Sequence, residues 1–252
     1  GLAPTHDVFR RLEGAFDAAL RGVRLARDSG IKTGIRMTLT EANADQLPAV
    51  VALMEAEGLD KFYLSHFNYA GRGRKHQADD AQHAATRRTL DWLFEHVYAR
   101  AQAGQAGDFV TGNNDADGVY LLNWIQHRAP DRVADMRQRL LNWGGNATGV
   151  WVANIDNLGN VHPDTMWWQH TLGNVRQRPF ADIWADCSDP LMAGLKARPR
   201  PLEGRCGRCP SREMCNGNTR VRAFATTGNA WAADPGCYLT DAEVGLLEEV
   251  PC

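Results

Sequence analysis

Residues 206 to 215 read CGRCPSREMC, and a later PGCY carries Cys237. Cys206, Cys209 and Cys215 form a C-x2-C-x5-C run among glycines, prolines and charges, where neither a helical nor a strand period can be read. Packing does not account for three thiols in such a stretch; a soft metal does. Zinc held by four cysteines and an iron–sulfur cluster held by four cysteines both suit the ligand type. Structural zinc sites pair one C-x2-C knuckle with a second or with H-x3-5-H, whereas here a compact triplet is completed by one cysteine twenty-two residues downstream. That three-plus-one spacing favours a [4Fe–4S] cluster and leaves zinc open. Six cysteines in 252 residues are far from disulfide density, and Cys206 and Cys209 are too close to bridge comfortably.

With 44% hydrophobic and 23% charged residues and a net charge of -2, the chain can bury one large core or two smaller ones. No basic excess is clustered, which argues against nucleic acid as the main partner. No apolar run approaches the roughly 20 residues of a membrane span, and no basic segment followed by an apolar one marks secretion. A cytoplasmic monomer is expected. GLAPTHDVFRRLEGAF enters a helix almost at once without a methionine, so the chain reads as the later part of a longer protein.

Phe9, Leu12, Phe16, Leu20 and Val23 recur at helical spacing and predict one amphipathic helix over 8–28, with Asp7 as its cap and Gly30 as its stop. Ile31, Ile35, Met37 and Leu39 alternate with polar residues and predict a strand. A helix over 44–57 and a second strand, KFYLSHFN at 61–68, follow. Helix, strand, helix, strand at this spacing calls for a parallel sheet or barrel, whose functional groups gather at the C-terminal strand ends. Those ends supply Arg36, Thr38 and Thr40, then His66, Asn68 and a glycine-rich loop with Arg72 and Arg74. A helix is expected over 81–103, a loop over 104–118, and helices over about 119–127 and 131–142. GVWVANIDNLGNVHPD then reads as a hairpin, with Val150, Val152 and Ile155 on a strand and the turn at 157–160. Short helices near 180–184 and 190–197 lead into the cysteine segment.

Taken together, THDVFR at 5–10, the strand GIRMTLT, the hairpin NIDNLGNVHPD followed by LGNVRQRPFADIW, and the cysteine run resemble the C-terminal part of a radical SAM enzyme with a SPASM or twitch extension. YLSHFNYAGRGRK, GGNATGVWVANID, CNGNTRVRAFATTGNAWAADPGCYL and the pair Trp167-Trp168 look like the heme d1 biosynthesis subgroup, the NirJ type. The resemblance spans nearly the entire chain. It implies an α/β fold: the C-terminal half of a partial (β/α)6 radical SAM barrel over 1–105, a helical connecting region over 106–144, and a small α+β SPASM/twitch iron–sulfur domain over 145–252. A full SPASM domain binds two auxiliary clusters, but here Asp164 and Thr219 stand where further cysteines would, and residues 145–149 hold none. One auxiliary [4Fe–4S] cluster is therefore implied, on Cys206, Cys209, Cys215 and Cys237. The C-x3-C-x2-C motif of the SAM-cleaving cluster is absent from these residues. That second [4Fe–4S] cluster and S-adenosyl-L-methionine (SAM) are expected to be bound mainly by a missing N-terminal part, so the stretch alone is not expected to cleave SAM.

Enzymes of this kind split SAM to a 5′-deoxyadenosyl radical that abstracts hydrogen from the substrate. For this subgroup the resemblance implies a siroheme-derived (didecarboxysiroheme) tetrapyrrole losing propionate side chains, in a pathway serving denitrification. The rivals are another SPASM enzyme, either a heme decarboxylase or a peptide-modifying maturase, and a non-catalytic zinc-binding scaffold. Arg36, Thr38, His66 and Asn68 are candidates to contact SAM, set against an internal ion pair and turn roles. Arg72 and Arg74 are candidates for substrate carboxylates, His162 and His170 for a heme iron, and Trp167 and Trp168 for stacking on the macrocycle. A solvated loop, satisfied histidines and ordinary packing are the plainer readings. An electron donor such as a flavodoxin or ferredoxin is implied, and the auxiliary cluster either relays electrons or staples the extension. Cys187 and Cys252 lie outside the motif and are expected as free thiols.

Overall fold

The computed structural model describes residues 1–246, and Cys252 lies outside them. Two compact units divide the chain: residues 1–67 with 78–113, and residues 68–77 with everything from 114 onward.

The first unit opens with α1 (Ala3–Arg10) and α2 (Ala15–Asp28), where apolar spacing predicts a single helix. The break falls between Arg11 and Gly14, the latter at φ 74°, a left-handed conformation that glycine adopts without a Cβ penalty. Asp7 accordingly caps the second helix and not the first, its carboxylate accepting from the N–H groups of Gly14 and Phe16 at 2.7 Å each. Then come β1 (Gly34–Thr38), α3 (Leu47–Ala56), β2 (Lys61–Ser65), α4 (His83–Gln102) and β3 (Asp108–Gly112). The strands form a parallel sheet in the order β1-β2-β3. Thr38 pairs with Ser65 and Ser65 with Gly112, so all three strands end level. One sheet face buries Met37, Phe62 and Leu64, and α3 and α4 bury Val51, Met54, Leu90 and Leu93. β3 corrects the loop expected over 104–118. Only Phe109 and Val110 are apolar there, so no alternation is legible, and the ladder to β2 makes the strand.

In the second unit, α5 (Ala116–Arg128) and α6 (Val133–Trp143) precede an antiparallel sheet of β4 (Asn154–Ile155), β5 (Asn160–His162) and β6 (Gly173–Asn174). The hairpin is shorter than expected. Val150 lies outside it, and Val152 forms only an isolated bridge with Thr148. Its turn is set by Asp156, whose carboxylate accepts from the N–H groups of Leu158 and Asn160 at 2.9 and 2.8 Å. Short helices follow: α7 (Phe180–Ala185), α8 (Pro190–Lys196), α9 (Gly204–Arg208), α10 (Arg212–Cys215), α11 (Arg220–Thr227) and α12 (Asp241–Val244). Trp167, Val221 and Ala230 form a core with Met166, Leu191 and Trp231 packed against it. No helix of the described residues is long and apolar enough to cross a membrane.

Candidate metal centre

The helices α9 and α10 and the loop between α11 and α12 bring all four motif cysteines to one pocket of about 390 Å³, its open mouth included. Ala116, Val119 and Leu239 complete its apolar wall. Every sulfur receives a backbone N–H. Cys206 takes that of Asp234 at 3.5 Å, Cys209 that of Ser211, Cys215 that of Gly217, and Cys237 that of Leu239. Such donors favour a thiolate, whereas burial raises the pKa of Cys209 and Cys237 and pushes Cys215 up to about 12. Thiols would leave the N–H groups on weak acceptors, and bare thiolates would be buried anions. A metal on all four sulfurs resolves the conflict.

Buried cations support an anionic occupant. Arg220 is fully buried, donates from Nη1 to the carbonyls of Ala230 and Ala232 at 3.2 and 2.7 Å, and leaves Nη2 without a partner among the described residues. The buried Asp234 carboxylate acts on it most strongly, and Cys206 and Cys215 are close enough for their charge to act on it too. A metal–thiolate centre would give this guanidinium a further counter-charge.

Four thiols lining one pocket suit zinc, at about 2.3 Å from each sulfur, or a [4Fe–4S] cube, with a separate iron behind each sulfur.

At Asp164, where the resemblance leads one to look for a further ligand, hydrogen bonds hold the side chain. Asp164 accepts from Thr148 Oγ1 at 2.5 Å and from the Met166 N–H at 2.7 Å, and buried Arg200 donates to the carbonyls of Asn146, Thr148 and Asn216 at 3.1, 2.9 and 3.2 Å. Thr219 is buried at the start of α11. Gly145, at φ 67°, lies so close to the Cys215 backbone that a Cβ would meet its carbonyl carbon at 2.3 Å, so only glycine fits.

At the level strand ends, Arg36 donates from Nη2 to Ser65 Oγ at 2.9 Å and lies over the Tyr63 ring. Asn113 donates to the same oxygen at 2.9 Å. Thr38 is half-buried in the pair with Ser65, and His66 is buried, its N–H donating to the Gly112 carbonyl. Sequence reading missed Ser65 and Asn113, since Asn113 follows a strand it read as loop. Asn68 belongs to the second unit, and its Oδ1 is buried without a hydrogen-bond partner among the described residues.

The substrate candidates separate. Arg72 and Arg74 are exposed on a 3-10 turn, Gly71–Lys75. His162 is buried with Nδ1 on the His170 carbonyl at 2.8 Å and Nε2 near Asp156 at 3.4 Å, so neither nitrogen is open to iron. His170 is part-exposed, with Nε2 2.9 Å from Asp189. Trp167 is a core residue, whereas Trp168 is exposed. Cys187 is exposed and free.

Asp115 gives a pH test of this unit. Burial, offset in part by a hydrogen bond with the Asn146 side chain, raises its pKa to about 6. Because the folded value lies above the unfolded one, its contribution to stability is full below about pH 4 and is lost as pH rises through about 6. Asp115→Asn is expected to leave stability near pH 4 unchanged and to raise it by about 3 kcal/mol near pH 7.5, measured by denaturant unfolding. Equal destabilisation at both pH values would refute the assignment.

No protein-family model matches the chain. It is 51% identical over 252 residues to the Pre-heme d1 synthase of Dinoroseobacter shibae, an alignment covering 99% of this chain and 62% of that protein. It is 41% identical over 252 residues to the Fe-coproporphyrin III synthase of Methanosarcina barkeri, covering 98% and 63%. The chain is a homologue of radical SAM/SPASM-type enzymes. It spans less than two thirds of the length of these two relatives. Among solved structures, Streptococcus suis SuiB bound to precursor peptide SuiA superposes with a TM-score of 0.62 at 15% identity, over 91% of this chain and 49% of SuiB. Native anSMEcpe with bound AdoMet superposes with a TM-score of 0.60 at 13% identity, over 88% of this chain and 56% of that one. These likenesses show the fold, an α/β fold shared with those two proteins, as the sequence leads one to expect.

Proposed function

We propose that this chain is the auxiliary-cluster-bearing part of a radical SAM enzyme of heme d1 biosynthesis, acting on a siroheme-derived tetrapyrrole and removing propionate side chains. The observation that carries the reading is the similarity to a Pre-heme d1 synthase, at about twice the identity found with AdoMet-dependent heme synthases. The PqqA peptide cyclases, at 26–28% identity, lend the peptide-modifying alternative less support. Cys206, Cys209, Cys215 and Cys237 hold one [4Fe–4S] cluster, which supplies one-electron transfer when bound. A second cluster and SAM are bound mainly by residues outside this stretch, with Arg36 and Thr38 at the level strand ends as contacts. Arg72 and Arg74 are free to turn their forks to substrate carboxylates. Trp168 and His170 remain candidates for the macrocycle, while Trp167 and His162 hold the fold. A flavodoxin or ferredoxin in the cytoplasm fits as electron donor.

The test is the full-length protein, reconstituted anaerobically and given SAM, dithionite and didecarboxysiroheme. Formation of 5′-deoxyadenosine together with a mass loss in the tetrapyrrole is expected. SAM cleavage indifferent to didecarboxysiroheme, or dependent on an iron coproporphyrin in its place, would count against the assignment.

A further inference from the structure

Cys237 comes from farthest along the chain, and its sulfur takes a side-chain donor as well as a backbone one. Arg205 Nη1 lies 3.2 Å from Cys237 Sγ. The same guanidinium donates from Nε to Asp241 Oδ1 and from Nη2 to the Leu239 carbonyl, both at 2.6 Å. Residues 237–241 thus fix it on three sides, while its own Cα directly precedes Cys206. One side chain ties the cysteine triplet to the solitary cysteine.

The surroundings make that tie consequential. Cys206 and Cys209 are buried, whereas Cys215 and Cys237 are half-buried, and Arg205 keeps 27% of its side-chain surface accessible. Cys237 is therefore reached more easily by water and protons than Cys206 or Cys209, with Arg205 standing over it. A charge-assisted hydrogen bond draws electron density from a coordinated sulfur, and a fixed positive charge favours the more negative, reduced state of a cluster.

Resting on the reading of the quartet as a [4Fe–4S] site, we infer that Arg205 is a positioning residue that clasps Cys237 onto the cluster and raises the cluster's reduction potential. Asp241 orients the clasp.

Arg205→Gln keeps neutral donors and removes the charge; Arg205→Lys keeps the charge but cannot span three acceptors. Asp241→Asn weakens the anchor alone. Each is made in the full-length protein and reconstituted anaerobically. Iron and sulfide content, the rate of iron loss to a chelator, and the midpoint potential are then measured, the last by a dithionite titration followed by electron paramagnetic resonance. Adding SAM perturbs the SAM-binding cluster and so separates the two signals. A wild-type protein with no auxiliary cluster would remove the parent reading. With the cluster present, Arg205→Gln is expected to shift the potential downward and to lose iron about tenfold faster, the effect of one hydrogen bond to a charged group. Arg205→Lys is expected to retain more of the potential than of the resistance to iron loss. Potentials and rates equal to wild type in Arg205→Gln overturn the inference, as do equal losses in both Arg205 variants at unchanged potential, which would mark a steric role. If neither variant binds a cluster, Asp241→Asn decides: a lowered potential supports the clasp, and an unchanged one overturns it.

Discussion

Replacing Cys215 with serine is expected to abolish iron and sulfide binding by the auxiliary site, while Cys187→Ser leaves both at the wild-type level. Cys215 is the ligand whose thiol burial pushes up to about 12, so it is a poor thiolate in the absence of metal and depends on metal for its charge. A serine hydroxyl is far less acidic and a harder ligand, which soft iron–sulfur chemistry disfavours. The Gly217 N–H would be left on an oxygen it holds as a neutral acceptor. Cys187 is exposed and lies outside the pocket, so it controls for the loss of any one thiol. The measurement is iron and sulfide per chain after anaerobic reconstitution of the full-length protein, with the visible absorbance of the cluster as a second readout. Full retention of auxiliary iron in Cys215→Ser would sink the four-cysteine assignment. Stoichiometric zinc in a colourless wild-type protein would sink the cluster itself.

What was legible in the sequence depended on how local its cause was. The quartet could be read because ligand spacing is itself the signal, and β1 and β2 because one face alternates over several residues. β3 escaped because its strand character comes from the ladder to Lys61–Ser65 and not from its own five residues. The split between α1 and α2 escaped because Gly14 sits inside a continuous apolar period, and only the reach of Asp7 to Gly14 and Phe16 reveals the stop. The polar shell of the site was invisible for a stronger reason. Arg200 reaches Thr148 across fifty-two positions, and Asp115 reaches Asn218 across more than a hundred. No period or propensity encodes such pairs. The same limit explains the histidines: His162 reads like a ligand beside two tryptophans, and only its contacts with His170 and Asp156 turn it into a structural residue.

Asp234 shows how tightly that shell is built, and its replacement is expected to have the largest effect on stability of any substitution outside the cysteines. Its carboxylate accepts from Arg222 Nε and Nη2 at 3.0 and 2.8 Å and from the Gly236 N–H at 3.0 Å, while its own N–H donates to Cys206. Both partners of the ion pair are almost wholly buried. Room for the guanidinium depends on Gly236, where a Cβ would stand 2.6 Å from Arg222 Nε. Burial alone would raise the Asp234 pKa, but Arg222 beside it, by charge and hydrogen bond, holds it below the usual carboxylate range. Asp234→Asn keeps the shape but removes the buried carboxylate charge that faces Arg222, at a cost of about 3–5 kcal/mol near pH 7. The sign with pH follows from the lowered folded pKa: the contribution is full above the unfolded value of about 4 and is lost as pH falls below it. The gap between wild type and Asp234→Asn in denaturant unfolding should therefore be widest near pH 7 and narrow under acid conditions. Joint replacement, Asp234→Leu with Arg222→Met, removes both charges and should recover part of the loss. Since Asp234 also sets the amide that meets Cys206, Asp234→Asn should bind iron less tightly than the double variant's stability alone would suggest. A constant gap across pH, or a cost no greater than that of an exposed ion pair, about 0–1 kcal/mol, would mean that the pair is not the keystone of this unit.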